Sequence, residues 1–223
     1  MSAPNAIELV CFDLGGVLVR ICRTWGEACR RAGTDVRGDA AGDRADAARR
    51  ELAELYSRGR VSRAEWIDRL GIAMSGLYTK EELSAIHAAV TIEEYPGVGE
   101  VIEKLHRASV ATACLSNTDH DHWAHLIHHD GVQPLAGDPR YPSVRRLGSH
   151  HASHLMGLAK PDHAIYRAFE RATGTAGKHI LFFDDLPENV ESARSVGWRA
   201  ERIDPNIETA AQLRHHLEVY GIF

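Results

Sequence analysis

Four short runs, each stopping at a polar residue, constrain the fold of this chain more than any other feature. They are IELVCF before Asp13, VATACL before Ser116, HILFF before Asp184 and the weaker HHASHLMGLA before Lys160. Apolar runs of this length predict buried strands. Helical patterns lie between them, and strands that alternate with helices predict an α/β fold with a parallel sheet covered on both faces. Ligands of such sheets gather at the carboxyl ends of the strands.

The helical patterns divide the chain into two parts. Apolar residues recur at helical spacing at Val98, Val101, Ile102 and Leu105, at Ile165, Ala168, Phe169 and Ala172, and at Leu213, Leu217 and Tyr220. Residues 19–94 show helical signals and no convincing strand, with capping boxes in SRAE (62–65) and TKEE (79–82). We therefore predict a core of residues 1–18 and 95–223 and a helical insert of residues 19–94.

Two stretches predict loops. The segment that starts near Val36 is rich in Ala, Gly, Asp and Arg, so its beginning is expected to be a loop. Residues 131–148 contain three prolines and predict a long irregular surface segment.

Charge and composition exclude several classes of partner. A net charge of -5 provides no basic field for nucleic acid or an anionic membrane. The chain has no apolar run of the roughly 18 residues that a membrane span needs and no signal-peptide pattern at its N-terminus, so we expect a cytoplasmic protein. Its four cysteines form no CxxC pair, which argues against a zinc knuckle. No feature predicts the oligomeric state.

Polar residues at the predicted strand ends should meet at one edge of the sheet. Singly, an Asp or Ser after a strand is often only a turn former or a helix cap. Four such sites on one sheet edge are much harder to explain in that way. The sites are Asp13, Ser116 with Asn117, Lys160 with Pro161, and Asp184 with Asp185.

This grouping suits phosphoryl transfer. A carboxylate can attack phosphorus only if its repulsion from the phosphate dianion is offset, which Mg²⁺ bound beside two or three carboxylates achieves. Asp13, Asp184 and Asp185 can supply that pocket. Ser116 and Lys160 provide the hydrogen-bond donor and the cation that the phosphoryl oxygens require.

Four motifs, in order, resemble the haloacid dehalogenase (HAD) superfamily of aspartate-nucleophile phosphatases. They are FDLGGVL (12–18), LSNT (115–118), KPD (160–162) and FFDDLPENV (182–190). The resemblance implies a Rossmann-like three-layer sandwich, with the helical insert as the small cap domain of subfamily I after the first strand. In detail the motifs are most similar to the branch of a bacterial α-glucose-1-phosphatase and the phosphatase domain of soluble epoxide hydrolases.

The resemblance also implies roles for individual residues. It implies a Mg²⁺ cofactor and, as substrate, a small phosphorylated metabolite, with a sugar phosphate as one option. Asp13 becomes the nucleophile and a metal ligand, and Gly15 a metal ligand through its carbonyl. Asp185 becomes a direct metal ligand and Asp184 a direct or water-mediated one. Ser116 and Lys160 become the phosphate clamps, Asn117 and Gly15 also belong to the phosphate-binding set, and Asn117 and Asn189 are supporting residues.

The first motif lacks one carboxylate. Most family members have an Asp two residues after the nucleophile, where it acts as general acid and base, but this chain has Gly15. Losing such help costs about 10² to 10⁴ in rate, whereas enzymes can accelerate phosphate monoester hydrolysis by about 10²¹. We therefore expect slower turnover, either on leaving groups that depart unaided or with His122 as a substitute that binds the substrate.

Other residues keep two readings. His125 with His129 could form a metal pair, but no nearby acidic ligand completes a site, so we favour a solvated helix face. Arg20, Arg23 and Trp25 could line the pocket or serve packing and surface.

Two rival functions follow from the same motifs. A metal-independent 2-haloacid dehalogenase would use the same nucleophile, but adjacent Asp184 and Asp185 would repel each other without a cation. A catalytically weak or inactive binding protein is the other alternative, because Gly15 removes the general acid.

Overall fold

The computed structural model describes residues 6–127 and 140–223, and a five-stranded sheet forms its centre. Every neighbouring pair in this sheet is parallel, which confirms the predicted α/β fold. The spatial order is β5-β4-β1-β6-β7. The strands are β1 (Leu9–Phe12), β4 (Ala111–Ser116), β5 (Ser149–Ala152), β6 (Ile180–Asp184) and β7 (Arg199–Arg202), and a separate pair consists of β2 (Val19–Ile21) and β3 (Thr91–Glu94).

Ten α-helices surround or extend this sheet in the described part of the chain. They are α1 (Trp25–Arg31), α2 (Asp43–Ser57), α3 (Arg63–Ala73), α4 (Lys80–Ala88), α5 (Val98–Arg107), α6 (His120–Leu126), α7 (Ser153–Met156), α8 (His163–Thr173), α9 (Pro187–Ser195) and α10 (Thr209–Val219). None of the helices in these residues is both long and apolar enough to cross a membrane.

Alternate residues of the central strands feed two separate cores. On one face, Val10 and Phe12 of β1 pack with residues of α5 and α10. On the other, Leu9 and Cys11 pack with residues of α8 and α9. All residues of β1 and β6 are buried, as expected for strands covered on both faces. The result is a helix–sheet–helix sandwich that places the ends of β1, β4 and β6 side by side.

Sequence patterns missed three strands and misjudged one run. The prediction of no strand within residues 19–94 is wrong at both ends of that segment, because β2 and β3 pair there in antiparallel fashion. Strand β7 was not predicted, since only Ala200 of its residues is buried and no apolar run marks it. The predicted strand over residues 150–159 is only the short β5, and α7 follows it directly.

The helical insert has a core of its own. Helices α1 to α4 lie between β2 and β3, and their buried side chains form a third cluster that includes Trp66, Leu70 and Ile86. The loop expected near Val36 ends where α2 begins at Asp43. Of the irregular segment predicted for residues 131–148, residues 131–139 lie outside the described residues, and a short 3₁₀ helix covers Val144–Arg146.

Candidate active site

Three buried carboxylates meet where β1 and β6 end. Asp13 follows β1 directly and its backbone N–H donates to the carbonyl of Phe183, 2.8 Å away. Asp184 is the last residue of β6 and Asp185 follows it. One oxygen of each carboxylate lies within 4.8 Å of the others. The structure therefore brings together the three predicted metal-ligating side chains.

Lys160 reaches into this cluster from the neighbouring loop. Its Nζ lies 3.0 Å from Oδ1 of Asp13 and 2.7 Å from Oδ2 of Asp184, and its side chain is completely buried. The side-chain amide of Asn117 forms two hydrogen bonds with the backbone of Lys160. Its Nδ2 donates to the Lys160 carbonyl at 2.8 Å, and its Oδ1 accepts from the Lys160 N–H at 2.9 Å. Asn117 therefore positions the lysine, and within the described residues the second N–H of its Nδ2 has no partner and is available to a phosphate.

Asp184 is saturated by neighbouring donors. Besides Lys160, it accepts from both the Asn189 amide, at 3.0 and 3.1 Å, and the backbone N–H of Leu186 at 2.9 Å. Oδ1 of Asp13 similarly accepts from the Leu14 N–H at 2.8 Å. Asn189 thus lies where a supporting residue is expected. Both oxygens of Asp184 are occupied by these donors, so its main contact in the site is the ion pair with Lys160.

The oxygens left over belong to the other two carboxylates. Within the described residues, neither Oδ2 of Asp13 nor Oδ1 of Asp185 has a hydrogen-bond or ion-pair partner. Ser116, the buried last residue of β4, has a hydroxyl that makes no hydrogen bond in the same set of residues. These are the groups available to a cation and to a phosphoryl oxygen.

The electrostatics of the site call for added positive charge. Burial raises the pKa of Asp13 to about 7, and the charges of Asp184 and Asp185 add to that rise against the opposing effect of Lys160. Burial likewise raises the pKa of Asp185, with Asp184 adding and Arg23 opposing. Burial alone would lower the pKa of Lys160, but the two carboxylates outweigh it and hold the pKa above its usual range. A cluster of carboxylate oxygens with this excess of negative charge fits Mg²⁺.

Arg23 is the cation that pairs with Asp185. Its guanidinium lies 2.8 Å from Oδ2 of Asp185. The structure therefore supports the prediction that Arg23 lines the pocket over the alternative that it is only a surface residue. Gly16 makes that approach possible: its φ is +84°, and a Cβ there would collide with the guanidinium and lie 2.6 Å from Asp185 Oδ2. Arg20 pairs instead with exposed Glu93.

At Gly15, a hydrophobic side chain occupies the neighbouring space. A Cβ on this glycine would lie 3.1 Å from Cδ1 of Ile21, the last residue of β2. Ile21 therefore occupies part of the space that a side chain at position 15 would enter.

His122 is engaged on both ring nitrogens. Nε2 lies 2.8 Å from the carbonyl of His87, and Nδ1 lies 3.1 Å from Oδ2 of Asp119. His122 therefore has no ring nitrogen left for a substrate, contrary to the substitute role considered for it. His129 lies outside the described residues, so its pairing with His125 has no structural counterpart here.

Sequence reasoning missed His87 and Asp119. His87 is a single histidine near the end of α4, and Asp119 has the sequence signature of a helix N-cap, which it also is, since it accepts from the N–H groups of Asp121 and His122. No pattern in one sequence joins residues so far apart. In the structure, Nε2 of His87 lies 3.3 Å from Oδ1 of Asp119.

Among the described residues, one cavity lies between the helical insert and the core, and a second lies within the insert. The larger, of about 520 Å³, is bordered by Tyr56, Arg58, Trp66 and His87 on one side and by Asn117, Thr118, Asp119, His122 and Lys160 on the other. The smaller, of about 210 Å³, is bordered by Arg23, Trp25 and other residues of the insert. Four residues border both cavities: Ala53, Trp66, His87 and Val90.

Comparison of the sequence with known proteins identifies one matching family model and one curated relative over part of its length. The model of haloacid dehalogenase-like hydrolases matches residues 7–197. A curated Mycobacterium tuberculosis protein named Phosphatase MT3486 is 41% identical over 58 residues, which are 26% of this chain and 27% of that protein. The chain therefore matches about a quarter of that relative's length.

Solved structures share the fold at low sequence identity. The HAD family enzyme bt-2542 of Bacteroides thetaiotaomicron has a TM-score of 0.76 at 18% identity, covering 94% of this chain and 99% of that one. Its wild-type complex with magnesium and inorganic phosphate has a TM-score of 0.70 at 18% identity, over 93% and 99% of the chains. An L-2-haloacid dehalogenase of Xanthobacter autotrophicus with chloropropionic acid covalently bound has a TM-score of 0.62 at 17% identity, over 97% and 84%.

Proposed function

The chain belongs to the haloacid dehalogenase-like hydrolase family, and from that premise we propose that it is a Mg²⁺-dependent phosphatase of small phosphorylated metabolites. The observation that carries the proposal is the buried cluster of Asp13, Asp184 and Asp185, whose oxygens lie within 4.8 Å of one another. The name of the mycobacterial relative and the magnesium and phosphate complex of bt-2542 support the same reaction class.

The cation site can be assigned from the oxygen atoms that have no hydrogen-bond or ion-pair partner among the described residues. Asp13 and Asp185 would hold Mg²⁺ directly with the Gly15 carbonyl, and Asp184 would act directly or through water. When bound, the ion offsets the repulsion between these carboxylates and a phosphate dianion.

The chain's own residues perform the displacement. The Asp13 carboxylate attacks phosphorus and forms an aspartyl-phosphate, while the leaving oxygen departs with the electron pair of its bond. Lys160 and the Leu14 N–H hold Oδ1 of Asp13 in one orientation, so the nucleophile is positioned before substrate arrives. Ser116 donates its free hydroxyl to a phosphoryl oxygen. Water then hydrolyses the intermediate and releases phosphate.

Hydrolysis of p-nitrophenyl phosphate tests this function. We expect turnover that requires Mg²⁺, stops on chelation, and is lost in Asp13→Asn. The inactive binding protein predicts no turnover with any metal. Fluoride release from fluoroacetate in the absence of metal would instead identify a dehalogenase, which the repulsion between Asp184 and Asp185 disfavours.

The glycine at position 15 narrows the substrate class. Without a carboxylic acid beside the leaving oxygen, we propose that the enzyme prefers phosphates whose leaving groups depart unprotonated, such as anomeric sugar, acyl or aryl phosphates. The test is a series of aryl phosphates graded by the pKa of the phenol. We expect kcat/KM to fall steeply as that pKa rises, and a flat series would contradict the assignment.

A further inference from the structure

We propose that His87 serves as the base that activates water in the second half of the reaction, the hydrolysis of the aspartyl-phosphate. The inference rests on the proposed function, because it assigns the role that the residue at position 15 would otherwise fill. It depends on three features of the described residues: the charge of His122, the open Nδ1 of His87, and the position of His87 on the border of two cavities.

The charge of His122 follows from its hydrogen bonds. Its two ring nitrogens face two acceptors, the carbonyl of His87 at 2.8 Å and the carboxylate of Asp119 at 3.1 Å. A neutral imidazole has only one N–H, so both contacts are satisfied only by the imidazolium form. Burial lowers the pKa of His122, but Asp119 and the His87 carbonyl outweigh it and raise the pKa above its ordinary value.

His87 is the neutral partner of this pair. Its ring stacks on that of His122 with centroids 4.0 Å apart, so a second positive charge there would be repelled. Burial and the charge of His122 lower the pKa of His87, against the opposing effect of Asp119. Its Nε2 faces Asp119 at 3.3 Å and therefore carries the proton, which leaves the lone pair on Nδ1.

That lone pair is open. Within residues 6–127 and 140–223, Nδ1 of His87 has no hydrogen-bond partner, and it is not among the polar atoms sealed away from solvent. An imidazole held by a carboxylate at one nitrogen and open at the other is the arrangement of a general base. Asp119 and His122 then act as positioning residues that fix its tautomer and orientation.

The location of His87 connects it with the reaction centre. It borders the larger cavity together with Asn117 and Lys160, and the smaller one together with Arg23, whose guanidinium bonds Asp185. Of the four residues that border both cavities, Ala53, Trp66, His87 and Val90, only His87 can exchange a proton. Lys160 in turn lies 3.0 Å from Oδ1 of Asp13, so His87 shares a cavity with the residue that holds the nucleophile.

The step balances without any further reactant. Nδ1 of His87 takes one proton from water as the water oxygen forms a bond to phosphorus. The bond between phosphorus and the Asp13 oxygen breaks, and its electron pair returns to the carboxylate. Phosphate leaves, and the imidazolium loses its proton to solvent. Nδ1 of neutral His87 has no proton to give the leaving group, so the preference for leaving groups that depart unprotonated is retained.

The pH dependence of this step has a defined sign. The groups around His87 are Asp119 and His122 on the core side, the Asp121 carboxylate farther off, Tyr56 of α2 at 6.0 Å and Trp66 of α3 at 4.4 Å between ring centroids. Only neutral His87 accepts a proton. Hydrolysis of the intermediate should slow as the pH falls below the ordinary histidine range, and it should be constant above it.

The test is His87→Gln, because glutamine retains a donor near Nε2 and removes Nδ1. Stopped-flow mixing with p-nitrophenyl phosphate and Mg²⁺ should show a burst of one nitrophenolate per active site, followed by turnover about 10²- to 10⁴-fold slower than in the wild type. Mass spectrometry of the acid-quenched protein should show the added phosphoryl group. His120→Gln, whose side chain is 78% exposed in the same stretch, is the matched control and should behave as the wild type.

Three outcomes would overturn the inference: wild-type turnover in His87→Gln, a burst slowed in parallel with turnover, or no phosphoryl group on the quenched variant. If the variant does not fold, the decay of the wild-type phosphoenzyme at a series of pH values decides, and a decay that does not slow under acidic conditions rejects the role. An absence of Mg²⁺-dependent activity in the wild type would instead reject the proposed function.

Discussion

In the metal-free protein, ionisation of Asp13 lowers the free energy of unfolding. Its pKa rises from 3.8 to about 7 because the carboxyl is buried beside Asp184 and Asp185. The folded state therefore binds more protons than the unfolded state between these two values. The free energy of unfolding must fall as the pH rises through that window, and above it the full cost is present.

Asp13→Asn should therefore stabilise the metal-free protein while abolishing turnover. At mildly alkaline pH with a chelator, the variant removes a buried negative charge and keeps the size of the side chain. Each 1 kcal/mol gained raises Tm by about 2–4 °C in a chain of this length. Calorimetry measures the change in Tm. A Tm below that of the wild type would contradict the prediction and would show that the ion pair with Lys160 offsets the cost of burying the Asp13 charge.

Gly15 offers a way to restore the missing acid. An aspartate there would press on Cδ1 of Ile21, which lies 3.1 Å from the position of Cβ, so Ile21→Val is needed to remove that atom. In Gly15→Asp with Ile21→Val, we expect kcat for alkyl phosphates to rise by about 10²-fold, within the usual range for general acids, with little change for p-nitrophenyl phosphate. Ile21→Val alone is the control, and equal effects on both substrates would contradict the explanation.

Single residues also show what one sequence can and cannot reveal about the site. Asp13, Asp184 and Asp185 each follow or end a recognisable apolar run, so the predicted strands alone place them at one sheet edge, whereas Lys160 reaches the site from the loop after α7. The pairing of His87 with Asp119 depends on how α4 packs against α6. That contact is tertiary and leaves no local pattern.

At the scale of elements, the predictable strands are those that lie in the centre of the sheet. Strands β1, β4 and β6 read as continuous apolar runs because both of their faces are covered. The edge strand β7 and the short pair β2 and β3 bury few side chains, so their sequences contain too little alternation to be recognised. In the helical insert, α3 and α4 were predictable because Ser62 and Thr79 cap them, whereas α2 follows Gly42 without a side-chain cap.

Helix α1 begins at Trp25, two residues after Arg23, and its N-cap Thr24 is expected to stabilise the helix and to position Arg23. Thr24 forms a capping box with Glu27, and the Glu27 carboxylate also accepts from the Arg23 N–H at 2.6 Å. Thr24→Ala should lower stability by about 1 kcal/mol. Urea unfolding measures this loss. Ser84→Ala, which removes a hydroxyl bonded within α4, should be close to neutral, and equal losses in both variants would argue against a specific cap effect.

At the scale of the whole molecule, the site lies where independent packing units meet. Two cores on opposite faces of the sheet fix β1 and β6, and a third fixes the helical insert above their ends. A cation bound between Asp13 and Asp185 would link the two central strands. Its binding should therefore be visible as global stabilisation.

Mg²⁺ should raise the Tm of the wild-type protein. At a concentration about 100 times Kd, a ligand that binds only the folded state adds about 2.7 kcal/mol. Differential scanning fluorimetry across a Mg²⁺ series measures the shift, which should be nearly absent in Asp185→Asn. The exposed Glu218→Gln variant keeps all site carboxylates and should retain it. A full shift in Asp185→Asn would remove this carboxylate from the ligand set.

The helical insert leaves the core through β2 and returns through β3, and these two strands lie side by side, with Val19 opposite Glu94. Paired strands are only about 5 Å apart, so a tight hairpin could close the chain in place of the entire segment between them. We therefore expect that the segment bordering both cavities can be exchanged for another at this one pair of strands, while the sheet that carries Asp13 stays continuous.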